Sequence, residues 1–193
     1  ISTGKAYLDV LQALKDLGID QRRASEIGIK LFKIGMSWPL EPEGIRSFAT
    51  GLEEVLVVEE KRAVIEDQLK KQLYNWATDS RPVIIGQFDE QGEWILPSTG
   101  ELTPGSIAKV IAGRLSRFYS SPDIDARLHF LEQQERFLEE SQCAETRLPH
   151  FCSGCPHNTS TRVPEGSRAI AGIGCHFMSS WMDRDTGTFT QMG

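Results

Sequence analysis

The chain has 193 residues, which is enough for one domain or for two small ones. Hydrophobic residues make up 39% and charged residues 25%, which excludes a disordered, collagen-like or coiled-coil protein. The formal net charge of −6 gives no general attraction to nucleic acid or to an anionic membrane. Because no long apolar run and no secretory signal are present, we expect a cytoplasmic protein that binds neither nucleic acid nor membranes.

The first third of the chain alternates between helical and strand patterns. Apolar residues at three- and four-residue steps predict an amphipathic helix over residues 4–17, with Thr3 available as its cap. The apolar stretch 27–34 favours a strand, and residues 43–51 predict a short helix. Residues 55–58 form an uninterrupted apolar run, the pattern of a parallel strand that helices cover on both faces.

The same alternation continues after this run. Residues 62–74 predict a helix, and residues 82–88 repeat the buried-strand pattern. Thr103 followed by Pro104 begins another helix in the preferred order, with a hydroxyl cap before proline at the first helical position. We therefore expect an α/β fold with a parallel sheet over residues 1–118.

Two adjacent carboxylates, Glu59 and Glu60, lie at the predicted carboxyl end of the strand 55–58. This is the edge at which α/β sheets place their binding crevices, so the pair could handle protons or a metal ion. Adjacent strand residues point to opposite faces, however, which is unfavourable for joint action. We therefore expect a solvated strand end beside Lys61, or a contact between domains.

The composition changes in the last third of the chain. Residues 119–147 contain a polar helix with a few apolar positions, and we expect a helical connector there. Residues 148–193 contain three of the four cysteines and have a different residue vocabulary. The sequence therefore predicts that a second domain begins near residue 148.

This last segment carries a Cys-X-X-Cys motif at Cys152 and Cys155, with Gly154 inside it and a further cysteine at Cys175. Two thiols separated by two residues can hold one soft metal centre, because a tight turn brings both sulfurs to the same side. In an intracellular chain this spacing is more typical of a metal or redox site than of a structural disulfide.

Several interpretations of these cysteines remain open. Cys152, Cys155 and Cys175 could be thiolate ligands of an iron–sulfur cluster whose fourth ligand is absent from the segment. A structural zinc ion could instead bind the same thiolates and one of three histidines: His150, His157 or His176. Cys152 and Cys155 could also form a redox dithiol, or all three cysteines could simply be buried. We treat the remaining cysteine, Cys143, as an ordinary thiol.

Two glycines, Gly172 and Gly174, stand immediately before Cys175. Glycines this close together let backbone amides approach a phosphate without hindrance from side chains. A tight turn at the end of a strand over residues 169–171 explains the same glycines equally well.

At this point the chain resembles the indolepyruvate ferredoxin oxidoreductase family. The residues that carry the resemblance are 4–10, 33–42, 57–61, Glu66, 70–74, 152–157, 172–176, 183–186 and 190–193. These stretches follow in the right order over nearly the whole chain. Because the chain begins at Ile1 and stops at Gly193, we expect it to be an interior piece of a longer protein.

The resemblance implies a thiamine-diphosphate-dependent enzyme. Such an enzyme decarboxylates indolepyruvate or another arylpyruvate, releases an acyl-CoA, and passes electrons through iron–sulfur clusters to ferredoxin. The implied partners are ferredoxin, coenzyme A, the arylpyruvate and other domains of the same enzyme. Residues 1–118 then correspond to a transketolase C-terminal-like α/β domain, and residues 148–193 to the start of the domain that binds thiamine diphosphate and Mg²⁺.

The resemblance also implies roles for particular residues. Cys152, Cys155 and Cys175 match three of the four cysteines that hold a [4Fe–4S] cluster, and the fourth is expected further downstream. The candidates for lining the cofactor pocket are His157, Gly172 and Gly174. The diphosphate motif and the activating carboxylate are expected outside the chain, so we name no catalytic residue and expect the piece alone to be inactive. The alternatives are a non-enzymatic α/β module with a structural zinc site and an oxidoreductase for another 2-oxoacid.

Overall fold

The computed structural model describes residues 1–140, 148–167, 169, 172–182 and 184. The chain divides into two compact units, Ile1–Glu140 and Ser141–Gly193. Within the described ranges, no helix is both long enough and apolar enough to cross a bilayer.

The first unit alternates short strands with helices. Its elements are β1 (Ser2–Thr3), α1 (Gly4–Asp16), α2 (Gln21–Ile27), β2 (Lys33–Ile34), α3 (Pro42–Ala49), β3 (Glu54–Leu56), α4 (Val64–Leu73), β4 (Val83–Ile85), α5 (Pro104–Leu115) and α6 (Pro122–Glu140). Strands and helices thus follow one another much as the sequence pattern predicts. The α/β class expected from the sequence is confirmed.

The strand pairs β1–β2 and β3–β4 are both parallel. Ser2 lies opposite Lys33 in the first pair, and Glu54 lies opposite Val83 in the second. A single parallel bridge between Ser2 and Val58 connects the two pairs, and the hydroxyl of Ser2 donates a hydrogen bond to the carbonyl of Val58 at 2.7 Å. The four short strands therefore lie in the order β2, β1, β3, β4.

Helices cover this sheet on both faces. Leu17 of the α1 end and Ile107 of α5 belong to one apolar cluster, and Leu69 of α4 belongs to another. Val57 and Val58 are adjacent in the chain, yet Val57 packs in the second cluster and Val58 in the first. The prediction of a strand that is buried on both faces is therefore confirmed, and this double burial explains its uninterrupted apolar sequence.

The segment 27–34 differs from its predicted strand. Helix α2 ends at Ile27, and only Lys33–Ile34 pair as a strand. Asp20 caps α2 by accepting a hydrogen bond from the N–H of Arg23 at 2.8 Å, and Gly28 ends it with a left-handed φ of 94°. The strand prediction is wrong for residues 27–32, because Ile27 belongs to this helix and residues 28–32 form no regular element before the pairing begins.

Two threonines that stand before helices behave differently. Thr3 does not cap α1, because its hydroxyl donates to the carbonyl of Ile34 at 2.9 Å and so supports the sheet. Thr103 caps α5 as predicted, and it forms a reciprocal capping box with Ser106 at 3.1 Å. The difference arises from the neighbouring strand, which offers Thr3 a partner that the sequence does not reveal.

Helix α6 lies within the predicted connector 119–147. Its residue Ile124 is buried in the cluster of α1 and α5, and Leu128 and Leu131 pack against that cluster. Within the first unit, helix α6 therefore packs against α1 and α5. Residues 141–147, which include Cys143, lie outside the described residues, and the domain boundaries at 118 and 147 stay a prediction.

Glu59 is buried, so the expectation of a solvated strand end is wrong for this residue. Its carboxylate accepts hydrogen bonds from the N–H of Ile65 at 2.9 and 3.1 Å and from the N–H of Glu66 at 3.0 Å. These amides belong to the first turn of α4, where a helix lacks internal partners for them. Burial raises the pKa of Glu59 above its ordinary value, although the hydrogen bonds from the α4 amides oppose the rise.

We expect Glu59→Gln to change how stability depends on pH. Because the pKa of Glu59 is raised in the folded state, ionising it costs stability as pH rises from the ordinary value through the folded-state value. Glutamine has no such ionisation and keeps an acceptor for the α4 amides. The free energy of unfolding of the variant should therefore rise relative to the parent as pH increases above the ordinary pKa of a glutamate, about 4.3.

Urea unfolding of the two chains at several pH values measures this difference. A difference that stays constant across the range would show that Glu59 does not titrate with a raised pKa.

Candidate functional site

Cys152 and Cys155 lie on a tight turn of the second unit, which we call the cysteine turn (residues 152–155). The N–H of Cys155 donates to the carbonyl of Cys152 at 3.1 Å. Gly154 has a φ of 74°, a left-handed conformation that favours glycine. Both cysteines have free thiols, that of Cys152 exposed and that of Cys155 partly so. The sequence expectation of a tight turn at this motif is therefore confirmed.

A short helix, α7 (His157–Ser160), follows the cysteine turn directly. The side-chain amide of Asn158 donates to the carbonyl of Cys152 at 3.2 Å, and its backbone N–H donates to the carbonyl of Cys155 at 3.0 Å. The Nδ1 atom of His157 lies 3.2 Å from the sulfur of Cys155. Residues of α7 therefore hold the backbone of both cysteines and contact one of the two sulfurs.

Cys175 lies on a 3₁₀ helix, Gly174–Trp181, and its thiol is free and exposed. On the same helix, Nδ1 of His176 accepts a hydrogen bond from the N–H of Gly172 at 2.6 Å. The imidazole ring of His176 lies 6.1 Å from that of His157, measured between ring centroids. The two histidines therefore bring the segment of the third cysteine beside the cysteine turn.

The donor set of this region suits a soft metal centre. Three free thiols are present in two neighbouring segments, and thiolates are the ligands that iron–sulfur clusters and structural zinc sites use. In the part of the chain that the structure describes, no group of three or more His, Cys, Asp or Glu side chains is already arranged around one metal position. The three free thiols are nevertheless of the chemical type that a thiolate-bound cluster requires.

The two glycines before Cys175 differ in what their backbones do. The N–H of Gly172 already donates to His176, and a Cβ atom added at Gly172 would lie 3.2 Å from that imidazole nitrogen. Gly174 has a φ of 74° and open space where a side chain would begin. Gly174 therefore needs to be glycine for its conformation. Residues 170 and 171 of the strand predicted before these glycines lie outside the described residues.

Arg184 is a residue of this region to which sequence reasoning gave no role. Its Nη1 donates to the carbonyl of Asn158 at 2.9 Å and to the hydroxyl of Thr161 at 3.1 Å. Its guanidinium also lies over the ring of Phe151, 5.4 Å from the ring centroid. The signal that could have found it is a charged residue inside a stretch that carries the family resemblance, 183–186. The other residues of that stretch lie outside the described residues.

A cavity of about 410 Å³ lies in the first unit, and its lining is mainly apolar, with side chains from α1, the segment 27–31, β3 and α5 among others. Arg114 of α5 lines it and donates to both carboxylate oxygens of Glu54, at 2.8 and 2.5 Å. Arg114 also pairs with Glu90 at 2.9 Å. The pair with Glu54 fastens α5 to the beginning of β3, and the pair with Glu90 fastens it to the loop after β4.

The sequence of this chain is similar to those of several curated proteins. The curated relatives include the indolepyruvate oxidoreductase subunit IorA of Thermococcus kodakarensis, 30% identical over 181 residues, and that of Pyrococcus horikoshii, also 30% identical over 181 residues. Each alignment covers 91% of this chain but only 25% and 24% of the respective relative. The chain therefore spans about a quarter of the length of the curated relatives that it matches.

The family is shown by a match over the first 143 residues of the chain. No solved structure matches the chain. Residues 1–143, however, match the family described as indolepyruvate ferredoxin oxidoreductase middle domain, and this match includes the whole first unit. The resemblance noted in the sequence is thereby confirmed, and the chain belongs to the indolepyruvate ferredoxin oxidoreductase family, as a piece that contains its middle domain.

Proposed function

We propose that this chain is part of a thiamine-diphosphate-dependent oxidoreductase that oxidatively decarboxylates indolepyruvate or other arylpyruvates to acyl-CoA and delivers electrons to ferredoxin. The observation that carries the proposal is the cysteine turn with the Cys175 segment beside it, in a chain of this family. Ferredoxin, coenzyme A, the arylpyruvate and the other domains of the same polypeptide are its partners. The enzyme acts in the cytoplasm.

In this proposal Cys152, Cys155 and Cys175 are three thiolate ligands of a [4Fe–4S] cluster. Their free thiols and the tight turn between the first two support it, because cluster ligation needs sulfurs that no disulfide occupies. The fourth ligand comes from a part of the polypeptide outside this chain. When bound, the cluster supplies one-electron redox chemistry and thiamine diphosphate supplies carbanion stabilisation.

His157, Gly172 and Gly174 are proposed to line the thiamine diphosphate pocket. The left-handed backbone of Gly174 and the open space at its Cα support a close approach of a ligand there. Gly172 contributes through its lack of a side chain rather than as a donor, because its N–H already binds His176. His157 orients its Nδ1 toward Cys155, and the groups that bind Mg²⁺ and the diphosphate come from outside the chain.

The proposal also gives the first unit a role. Residues 1–118 are proposed to be a transketolase C-terminal-like domain, residues 119–147 a connector, and residues 148–193 the beginning of the domain that binds the cofactor. The parallel α/β architecture with helices on both faces supports the first of these assignments. Such a domain packs against its neighbours and orients them, while the reaction takes place elsewhere.

We expect the intact protein, purified without oxygen, to be brown and to contain iron and acid-labile sulfide. Three thiolates from this chain and a fourth from the remainder of the polypeptide complete the usual four ligands of a cluster. Metal analysis, sulfide analysis and the visible absorbance spectrum measure the result.

A colourless protein with one zinc ion per chain would contradict the redox function. It would support a structural zinc site in its place, held by the same thiolates and a histidine.

A further inference from the structure

Arg184 contacts the chain on both sides of the cysteine turn. It touches Phe151, which directly precedes Cys152, and Asn158, which follows Cys155. From these contacts we propose that Arg184 is a positioning residue that holds the cysteine turn in the shape required for cluster binding. The inference rests on the proposed function, and it adds a residue outside the ligand set.

The first path from Arg184 leads to Cys152. Nη1 and Nη2 of Arg184 donate to the backbone carbonyl of Asn158 at 2.9 Å and to its side-chain oxygen at 3.4 Å. The side-chain nitrogen of the same Asn158 donates to the carbonyl of Cys152 at 3.2 Å. Because an amide has its acceptor on one side and its donors on the other, Arg184 fixes which way Asn158 faces, and Asn158 holds Cys152.

The second path leads to Cys155. Arg184 donates to the hydroxyl oxygen of Thr161 at 3.1 Å, and that hydroxyl donates to the carbonyl of His157 at 2.6 Å. Thr161 is only 1% exposed, so its hydroxyl has these partners rather than bulk water. His157 in turn places its Nδ1 at 3.2 Å from the sulfur of Cys155. Arg184 is thus connected to Cys152 through the side chain of Asn158, and to Cys155 through Thr161 and His157.

A third contact acts on the residue before the turn. The guanidinium of Arg184 covers one aromatic neighbour, Phe151, which is buried and also stacks on the ring of His157 at 5.4 Å. A cation above an aromatic face is attracted by the ring, and the attraction grows when water is excluded. Phe151 is therefore held by contacts with both Arg184 and His157, and the chain enters Cys152 from a fixed position.

Only arginine can make all of these contacts at once. Its guanidinium is planar, carries five N–H donors in a fixed arrangement, and stays charged at any pH at which proteins are folded. Lysine in place of Arg184 keeps the charge but has a single nitrogen at the end of a flexible stem, so it cannot bridge Asn158 and Thr161 while covering Phe151. Glutamine loses the charge as well.

The test uses Arg184→Gln and Arg184→Lys in the intact protein, purified without oxygen. Arg162→Gln serves as the matched control, because Arg162 is an exposed arginine of the same unit. The measurement is the rate at which the visible absorbance of the cluster disappears in the presence of an iron chelator. Mutating a group that orients metal ligands typically lowers the affinity for the metal by about 10- to 100-fold. We therefore expect Arg184→Gln to lose its cluster at least about tenfold faster than the parent protein does.

Arg184→Lys should lie between the parent and Arg184→Gln, and Arg162→Gln should match the parent. Circular dichroism of each variant, together with the electron paramagnetic resonance spectrum of the reduced cluster, separates a misplaced turn from an unfolded protein. We expect folded Arg184 variants whose cluster spectrum is altered.

Equal rates of cluster loss in the parent and in Arg184→Gln would overturn the inference and leave the proposed function intact. An unaltered parent protein that contains neither iron nor sulfide would overturn the proposed function, and the inference with it.

Discussion

Cys152→Ser in the intact protein should abolish the reduction of ferredoxin. Serine fits the cysteine turn sterically, because the bond from the N–H of Cys155 to the carbonyl of residue 152 involves only the backbone. A hydroxyl is a poor substitute for a thiolate on iron, however, so the proposed cluster would lose one of its four ligands. The rate of ferredoxin reduction is measured for the parent and for the variant with indolepyruvate, phenylpyruvate and pyruvate. The parent's rates give the preferred 2-oxoacid, and the comparison with the variant gives the loss of activity.

The remaining cysteine of the chain provides the matched control. Cys143 precedes the motif and has no place in the proposed ligand set, so Cys143→Ser should keep normal activity, iron content and sulfide content. Normal ferredoxin reduction by Cys152→Ser would contradict cluster ligation by this residue. Loss of the cluster in Cys143→Ser would show that the ligand set has been assigned to the wrong cysteines.

Arg114→Gln should strongly destabilise the first unit although it leaves the apolar core untouched. Arg114 and Glu54 form a two-bonded ion pair whose side chains are only 13% and 10% exposed. Hydrogen bonding to Glu54, and to Glu90, raises the pKa of Arg114, so the residue is always charged. Removing the cation leaves the carboxylate of Glu54 largely buried without its partner, which costs about 3 kcal/mol of unfolding free energy.

Urea unfolding measures this loss, and Arg22→Gln is its control. The side chain of Arg22 is 87% exposed and pairs with the exposed carboxylate of Glu26 at 3.4 Å. An ion pair of this kind contributes little, so Arg22→Gln should stay within about 0.5 kcal/mol of the parent. Equal stability of Arg114→Gln and Arg22→Gln would show that the pair with Glu54 does not fasten α5 to β3.

The parts of the fold that the sequence predicts well are those with local signals. Helix α5 begins where Thr103 and Pro104 indicate, because a cap and a first-turn proline act within one turn of the helix. Helix α2 has equally local signals in Asp20 and Gly28, and reading them would have kept Ile27 out of the predicted strand. Apolar content alone does not show which residues of 27–34 find a strand partner, and only Lys33–Ile34 do.

Features that depend on distant residues could not be predicted in the same way. Glu59 is charged and stands at a strand end, so exposure is the natural expectation. Its carboxylate instead accepts from the N–H groups of Ile65 and Glu66, six and seven residues further along the chain, because the first turn of α4 comes to lie beside it. The pattern of residues around Glu59 does not contain that information.

In the candidate site, too, the features with local sequence signals could be predicted, and those that depend on packing could not. The cysteine turn could be predicted from spacing, because both cysteines and Gly154 lie within four residues of one another. The contacts of Arg184 with Asn158 span 26 residues, and no local pattern indicates them. The neighbourhood of the Cys175 segment likewise depends on the packing of His176 beside His157.

Strand β1 has a consequence for how the protein is made. In the sheet this strand has a neighbour on each side, and both neighbours come later in the chain. The bond to Ile34 spans 31 residues, and the bond to Val58 spans 56. Ribosomes add about 5–20 residues per second, so β1 waits about 3–11 s between its own synthesis and that of Val58. During this time its backbone groups are open to pairing with other nascent chains. Slower translation over this stretch therefore lengthens the time for which β1 lacks its bond to Val58.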